Sequence, residues 1–289
     1  MVDIRFRFSR LVFVGVFALA GGCAVSRKTV VAPTASEPAL TATKSQLMER
    51  YNHEASAVQA INAAVRMLPT AGSALSGVIE NYHDVNGYIL AARPASIRVI
   101  GQAPVVAKDI FDMASDGQTF HIYIPSKNEF IEGPADLRRT AKRPIENLRP
   151  QHLLDALIWP VVDPDSPTLL EEVDELPAHY YVLTVAKNGP QGWELQRKVW
   201  FDRVNLQTTR IQTYDSLGEV LSDVQLKNWQ PVGTVDYPRD ILIARPIDDY
   251  RLEVVITQVT LNQTVTADQF HLAQPAGTQL VQLGEDAHP

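Results

Sequence analysis

Cysteine is almost missing. Cys23 is the only one in 289 residues, so no disulfide can close within the chain, and a body of this size does not need one. A long apolar run is missing too. The run from Leu11 is about ten residues, whereas a spanning helix needs roughly 20, so a transmembrane reading is poor. Positive charge is not in excess, since the formal net charge is −7. Nucleic-acid binding rests on clustered Lys and Arg and binding to anionic lipid on a polybasic patch. The sequence offers neither, so no nucleic-acid partner is expected. Catalytic signatures are absent as well. None of the seven histidines (His53, His83, His121, His152, His179, His271 and His288) pairs with another at a metal-binding helix spacing. There is no His-Glu-x-x-His, no Cys cluster, no Gly-x-Ser-x-Gly elbow, no phosphate loop and no dinucleotide fingerprint. His83 with Asp84, and His121, have acid–base chemistry, but a lone histidine in a strand is ordinarily structural. No catalytic residue, metal or cofactor is expected.

What is present begins at the N-terminus. Arg5, Arg7 and Arg10 precede the apolar run Leu11–Ala20, and the small residues Ala20, Gly21 and Gly22 precede Cys23. A positive segment, a short apolar segment and small residues before a cut read as an export signal. The pattern resembles a bacterial lipoprotein signal peptide over 1–22, with Cys23 as the acylated first residue of the mature chain. Ordinary secretion and a retained anchor are the alternatives. The residue after the cysteine is Ala24 and not Asp, which by the same resemblance implies the outer membrane, with the body facing the periplasm. Loss of residues 1–22 removes three Arg and Asp3 and takes the formal net charge to −9. Residues 23–43, rich in Ala, Thr, Ser and Pro, read as a flexible tether spanning on the order of 25 Å. Without a polybasic patch, the membrane contact is made by acyl chains on Cys23; one chain gives only marginal anchoring, and the lipoprotein resemblance implies three. The body, 44–289, reads as one domain and as a monomer.

Within the body, Leu47, Met48, Tyr51, Ala55, Val58, Ile61, Val65 and Leu68 recur at spacings of three and four. This predicts one long amphipathic helix ending before Pro69. From Ser73 the period changes to two. Strands are expected at 74–80, 88–90, 97–100, 110–113, 120–124 and 130–131, punctuated by Asn86-Gly87 and Asp116-Gly117, which are strong hairpin signals. Residues 134–177 interrupt this meander. Leu137 to Arg149 is Arg-rich. Pro150 to Trp159 reads as a short helix with one apolar stripe (Leu153, Leu154, Leu157 and Ile158), ended by Pro160. It is either a plug that caps the sheet or a movable lid. Val161 to Pro177 reads as a proline- and acid-rich loop. Its Asp163, Asp165, Glu171, Glu172, Asp174 and Glu175 lack the order and the glycine of a calcium loop, so they read as a solvated acidic face. Strands resume at 180–185, 193–201, 210–214, 220–226, 241–243 and 252–256. The expected fold is mainly β (α+β): a strongly curved antiparallel sheet, an unclosed half-barrel of about 11–12 strands, with a long N-terminal helix and a short lid or plug helix.

The order of these features, with Gly87-Tyr88-Ile89-Leu90-Ala91-Ala92-Arg93-Pro94, then Ser115-Asp116-Gly117 opening Phe120-His121-Ile122-Tyr123-Ile124-Pro125, and late in the chain Phe270-His271-Leu272 before Pro275-Ala276-Gly277, resembles the LolA/LolB-like superfamily over about residues 45–280. The resemblance implies a half-barrel with a helical lid and an apolar cavity for acyl chains. It implies that Arg93, the Arg of the Arg-Pro motif, bonds to the lid, where otherwise it would end its strand facing solvent. It also implies an apolar loop tip that accepts cargo. The corresponding turn, Asp84-Val85-Asn86, carries only Val85. The expected function is therefore that of a non-enzymatic outer-membrane lipoprotein binding a hydrophobic ligand, either lipoprotein acyl chains or another lipid. The alternative is an envelope interaction or scaffold lipoprotein without cavity function. A hydrolase would need a nucleophile and base that converge, and the sequence offers no such pair.

Overall fold

Thr43 opens the first helix, α1 (Lys44–Ala57). Its hydroxyl accepts from the Gln46 backbone while the Gln46 side chain accepts from the Thr43 backbone, so two otherwise orphaned donors are satisfied reciprocally. The structure is a computed structural model describing residues 39–284 except 74–77, 106–107, 138–146, 176–177 and 191. The signal segment, Cys23, the tether up to residue 38 and most of the Arg-rich stretch lie outside the described residues. At the described end of the tether, the Leu40 backbone N–H donates to the Arg203 carbonyl at 2.6 Å.

The long helix expected up to Pro69 is corrected. It ends at Ala57, and residues Ala60–Ser73 form strand β1. Ile61 and Val65 fit a period of 3.6 and a period of two equally well. Pairing decides between them: β1 bonds to a partner on each side, from Ile61 opposite Leu261 on one and from Ala60 opposite Ala92 on the other, so its backbone groups are satisfied as a strand. Ile61, Ala63, Val65 and Met67 are buried while Asn62 and Arg66 are exposed. The helix end is closed by distant side chains. Asn262 donates to the Ala57 carbonyl and accepts from the Gln59 backbone, each at 2.7 Å.

The strands after β1 are β2 (Val78–Asn81), β3 (Val85–Ala92), β4 (Ser96–Gln102), β5 (Asp109–Ser115), β6 (Thr119–Ile124) and β7 (Glu129–Pro134). Helix α2 (Pro150–Leu157) follows, and then β8 (Thr168–Glu175), β9 (Ala178–Gly189), β10 (Gly192–Asp202), β11 (Thr208–Tyr214), β12 (Val220–Val232), β13 (Val235–Arg245), β14 (Tyr250–Leu261) and β15 (Gln279–Gln282). They make one sheet in the order β15-β7-β6-β5-β4-β3-β1-β14-β13-β12-β11-β10-β9-β8, with β2 beside β1. Two antiparallel meanders are thus sewn together by β1 and β14, and β15 adds to β7 in parallel. The sheet does not close, since β15 and β8 are its free edges.

The strand count exceeds the expected 11–12 for identifiable reasons. The residues read as an acid-rich loop include β8, an edge strand. Glu171, Glu172, Asp174 and Glu175 are all exposed on it, and charge on an edge strand discourages pairing with a second chain. Ion pairs tie two of them to the body, Arg203 to Glu172 at 2.8 Å and Lys198 to Glu171 at 3.5 Å. Strand β15 is four residues long and exists only through its pairing with β7.

Both helices lie on the inner face of the sheet. Helix α2 touches β4 and β5 on one side and β13 on the other. In a flat sheet β5 and β13 would stand roughly 24 Å apart, at about 4.8 Å per strand, which is about twice the width of a helix. The sheet must therefore bend around α2. The core between them joins Leu47, Tyr51 and Ala55 of α1 with Leu153, Leu154 and Leu157 of α2 and the inward residues of the strands.

Candidate functional site

The chain leaving α2 is held mainly by side chains that reach its carbonyls. Tyr237, fully buried, donates to Leu157 O at 2.7 Å. Arg93 Nη2 donates to Trp159 O at 3.0 Å. Tyr51 Oη and Arg197 Nη1 both donate to Pro160 O, at 2.9 and 2.7 Å. Asn52 grips Val162 through both its backbone groups, at 2.7 and 2.8 Å. Each is a contact between elements far apart in sequence, and none belongs to a backbone ladder.

Arg93 does not face solvent. Besides Trp159 it donates to Ala55 O at 2.8 Å and to Val58 O at 3.1 Å. One guanidinium thus joins the last turn of α1 to the chain end of α2, with a cation at a helix C-terminus where the dipole favours it. Trp159 is packed between Tyr237, stacked with ring centres 6.2 Å apart, and Trp229, edge-on at 6.1 Å. The other end of α2 is fixed by His152, whose Nδ1 lies 2.7 Å from the Tyr250 hydroxyl.

Between α2 and strands β10–β13 is a cavity of about 280 Å³. Its α2 side is made by His152, Asp155, Ala156 and Trp159. Its sheet side presents Ile211, Leu221 and Val224 together with Arg197, Thr213, Ser222 and Arg245. The wall is therefore half apolar and half polar, where a wholly apolar lining was expected. Burial holds His152 well below the ordinary imidazole range, and Arg245 and Arg149 push the same way, so it is neutral. Asp155 is exposed by area and lines the cavity. Desolvation there raises its carboxyl above the usual range, with Arg245 and Arg197 offsetting part of the rise. Beneath the cavity, burial pushes the Tyr51 phenol up to about 12, against the lowering effect of Arg197. It also raises the Glu54 carboxyl, which accepts from Thr208 Oγ1 at 2.8 Å.

The sign of the Asp155 shift gives a prediction. A carboxyl raised in the folded state opposes folding once both states are ionised. Asp155→Asn is expected to stabilise the protein at pH 7. The gain shrinks as pH falls through the raised value and is gone below 3.8, where both states carry the proton. Urea melts of the two proteins at pH 7, 5 and 4 measure it, and equal stability at pH 7 would contradict it.

Of the residues singled out by sequence, Arg93 lies at the junction of α1 and the α2 chain end, while Cys23 lies outside the described residues. Val85 is not an apolar tip, because it is half-buried and packs against the core. Exposed apolar residues stand instead at other turns. Val105 lies between β4 and β5, Leu217 between β11 and β12, and Trp193 where β10 begins, exposed by 94, 83 and 64%. The pairing places all three at one end of the sheet, the end at which β13 finishes with Arg245. Asp155, Arg197, Thr213, Ser222 and Arg245 were not anticipated. Arg197 was legible in principle, since it shares strand parity with the buried Val199 and Phe201, so a charge had to face inward.

No family model matches the sequence, and no curated protein matches it. Among solved structures, the chain is similar to a LolA superfamily protein from Nitrosomonas europaea, at 12% identity and a TM-score of 0.48, covering 80% of this chain and 99% of that one. It is also similar to a DUF1329 family protein from Desulfovibrio piger, at 12% identity and a TM-score of 0.47, covering 78% and 94%. A Vibrio parahaemolyticus domain named for outer membrane lipoprotein sorting is similar at 8% identity and a TM-score of 0.45, again covering 78% and 94%.

Proposed function

We propose that this protein is a non-enzymatic lipoprotein of the outer membrane, anchored through acyl chains on Cys23 and facing the periplasm, that holds an apolar chain of a lipid or lipoprotein in the cavity beneath α2. The observation that carries the reading is the placement of that cavity. It lies on the concave side of an open sheet, under a segment fixed by separable side-chain bonds. Burial of a methylene is worth about 0.8 kcal/mol, so a short alkyl chain suffices for useful affinity. Arg93 is the latch in this scheme, releasing the α2 chain end when a guest enters or leaves. The lipoprotein-like signal and the order of motifs in the sequence support the same reading.

The test is direct. The protein purified from its own envelope should release lipid on organic extraction, and native mass spectrometry should show bound mass that disappears afterwards. Labelled palmitate should enter the wild-type chain and not Cys23→Ser. A chain that carries no guest, and takes up none from vesicles, would end the cavity reading.

One observation favours the second reading, an interaction protein without cavity function: the exposed Val105, Trp193 and Leu217 at one end of the sheet. The two readings separate on the double variant Val105→Glu, Leu217→Glu. If the tips serve lipid transfer, uptake from vesicles slows several-fold while affinity for a guest already in solution is unchanged.

A further inference from the structure

The polar half of the cavity wall is ordered by strand register. Arg197 of β10 pairs with Thr213 of β11, and Thr213 pairs with Ser222 of β12. Arg245 ends the neighbouring strand, one residue beyond Ala244, which pairs with Asp223. These four side chains therefore form a row across adjacent strands, with neighbours about 5 Å apart, and all four line the cavity. Two residues further along, the same strands carry the row Val199, Ile211 and Val224, of which Ile211 and Val224 also line it. A polar row and an apolar row thus lie side by side on one concave face.

The polar row has hydrogen-bonding capacity left over. Arg197 is 7% exposed. Its Nη1 is engaged with Tyr51 Oη at 2.8 Å and Pro160 O at 2.7 Å, whereas its Nη2 makes no bond and retains accessible surface. Its Nε is covered and unpartnered. No carboxylate lies within ion-pair distance of it among the described residues. Arg245 gives its Nε to Asp248 at 2.8 Å, and its Nη groups make no bond. The hydroxyls of Thr213 and Ser222 are likewise unengaged. A buried guanidinium that makes no direct ion pair is costly. The charges facing the cavity are Arg197, Arg245 and Asp155, with Asp248 already paired and His152 neutral. The donors therefore converge on one side and the single carboxylate stands on the opposite wall, on α2.

We infer that this row is a head-group subsite for an oxyanion, and that the guest is a single-chain anionic amphiphile. Its carboxylate or phosphate meets Arg197, Thr213, Ser222 and Arg245, and its alkyl chain runs along Ile211 and Val224. The inference rests on the cavity-binding reading above and narrows it. The volume of about 280 Å³ corresponds to about nine waters of roughly 30 Å³ each, which suits a guest of roughly ten heavy atoms.

The test is titration calorimetry on the chain lacking residues 1–22 and carrying Cys23→Ser, since every described element lies in the compact unit Ser36–Pro289. The probes are octanoate, octyl phosphate, octanol and octylammonium. One or both anions should bind at least about tenfold more tightly than octanol, the size of a single charge-assisted hydrogen bond, and octylammonium should bind worst. Which anion leads identifies the head group as carboxylate or phosphate. Thr213→Val, which keeps the shape of the wall, should weaken the anions and leave octanol unchanged. Asp155→Asn should tighten the anions. Arg197→Gln should abolish the preference for them, and the first two variants test the subsite even if Arg197→Gln fails to fold. Octanol binding as well as either anion, or octylammonium binding better, overturns the head-group subsite while leaving the cavity reading intact. Failure of all four probes to bind removes both.

Discussion

Arg93→Ala is expected to lower stability by about 3 kcal/mol and to free the chain that follows α2. The guanidinium makes three bonds, to Ala55 O, Val58 O and Trp159 O, at 2.8–3.1 Å. A hydrogen bond from a charged donor contributes about 1.5–3 kcal/mol. Three bonds from one half-buried group are not additive, so the expected sum is well below three times that. Arg93→Lys should recover only a fraction, because an ammonium cannot span carbonyls that a planar fork reaches together. Stability alone does not separate a helix cap from a latch. Amide exchange does: a latch requires residues 158–162 to exchange faster in Arg93→Ala by a larger factor than the last turn of α1. A double-mutant cycle with Asn52→Ala, which releases Val162, should show coupling between the two restraints. Equal acceleration in α1 and in 158–162 would reduce Arg93 to a cap.

Trp159→Ala is expected to cost about 3–5 kcal/mol, the range for truncating a large buried aromatic side chain. The indole is 3% exposed and lies between Tyr237 and Trp229, so two rings lose a partner at once. The same residue lines the cavity, and its removal enlarges that space. An apolar void left dry is a site for an apolar guest. Addition of a saturating alkyl ligand should therefore raise the midpoint of Trp159→Ala more than that of the wild type, since binding to the native state alone stabilises by mass action. Trp159→Phe should cost less and change guest selectivity little. A Trp159→Ala protein that is destabilised but shows no ligand-dependent rise would place the ring in the core and not in a binding wall.

Much of the β architecture could be read in advance because its signals are local. Asp116-Gly117 marks a turn, and alternation in Trp193 to Phe201 marks an inward face, whereas Asn86-Gly87, expected as a turn, lies inside β3 opposite Gln102 and Gly101, and the chain reverses before it, at residues 82–84. What escaped was decided by distant partners. Ala60 to Val65 suits helix and strand alike, and only the pairing with β3 and β14 resolves it. Strand β8 carries four exposed acids because it is an edge, and an edge strand in sequence looks like a loop. The cavity was invisible for the same reason. Its wall comes from α2 and four strands between residues 152 and 245, and no local pattern records that Arg197, Thr213 and Ser222 become neighbours. Arg93 was singled out by family resemblance. Its three acceptors, one on α1, one just past its end and one after α2, could not have been named from the strand that carries it.

The free seam between β8 and β15 has a mechanical consequence. In a closed barrel, strand number and shear fix the radius, and widening the interior means breaking a ladder. Here the two edge strands share no bond, so the sheet can uncurl by small changes of twist between neighbouring strands, and every backbone hydrogen bond survives. The 280 Å³ under α2 is the volume at one curvature. Under the proposed cavity binding, a longer alkyl chain would work against bending stiffness and the side-chain bonds at residues 157–162, and the largest guest would be set by how far the sheet opens.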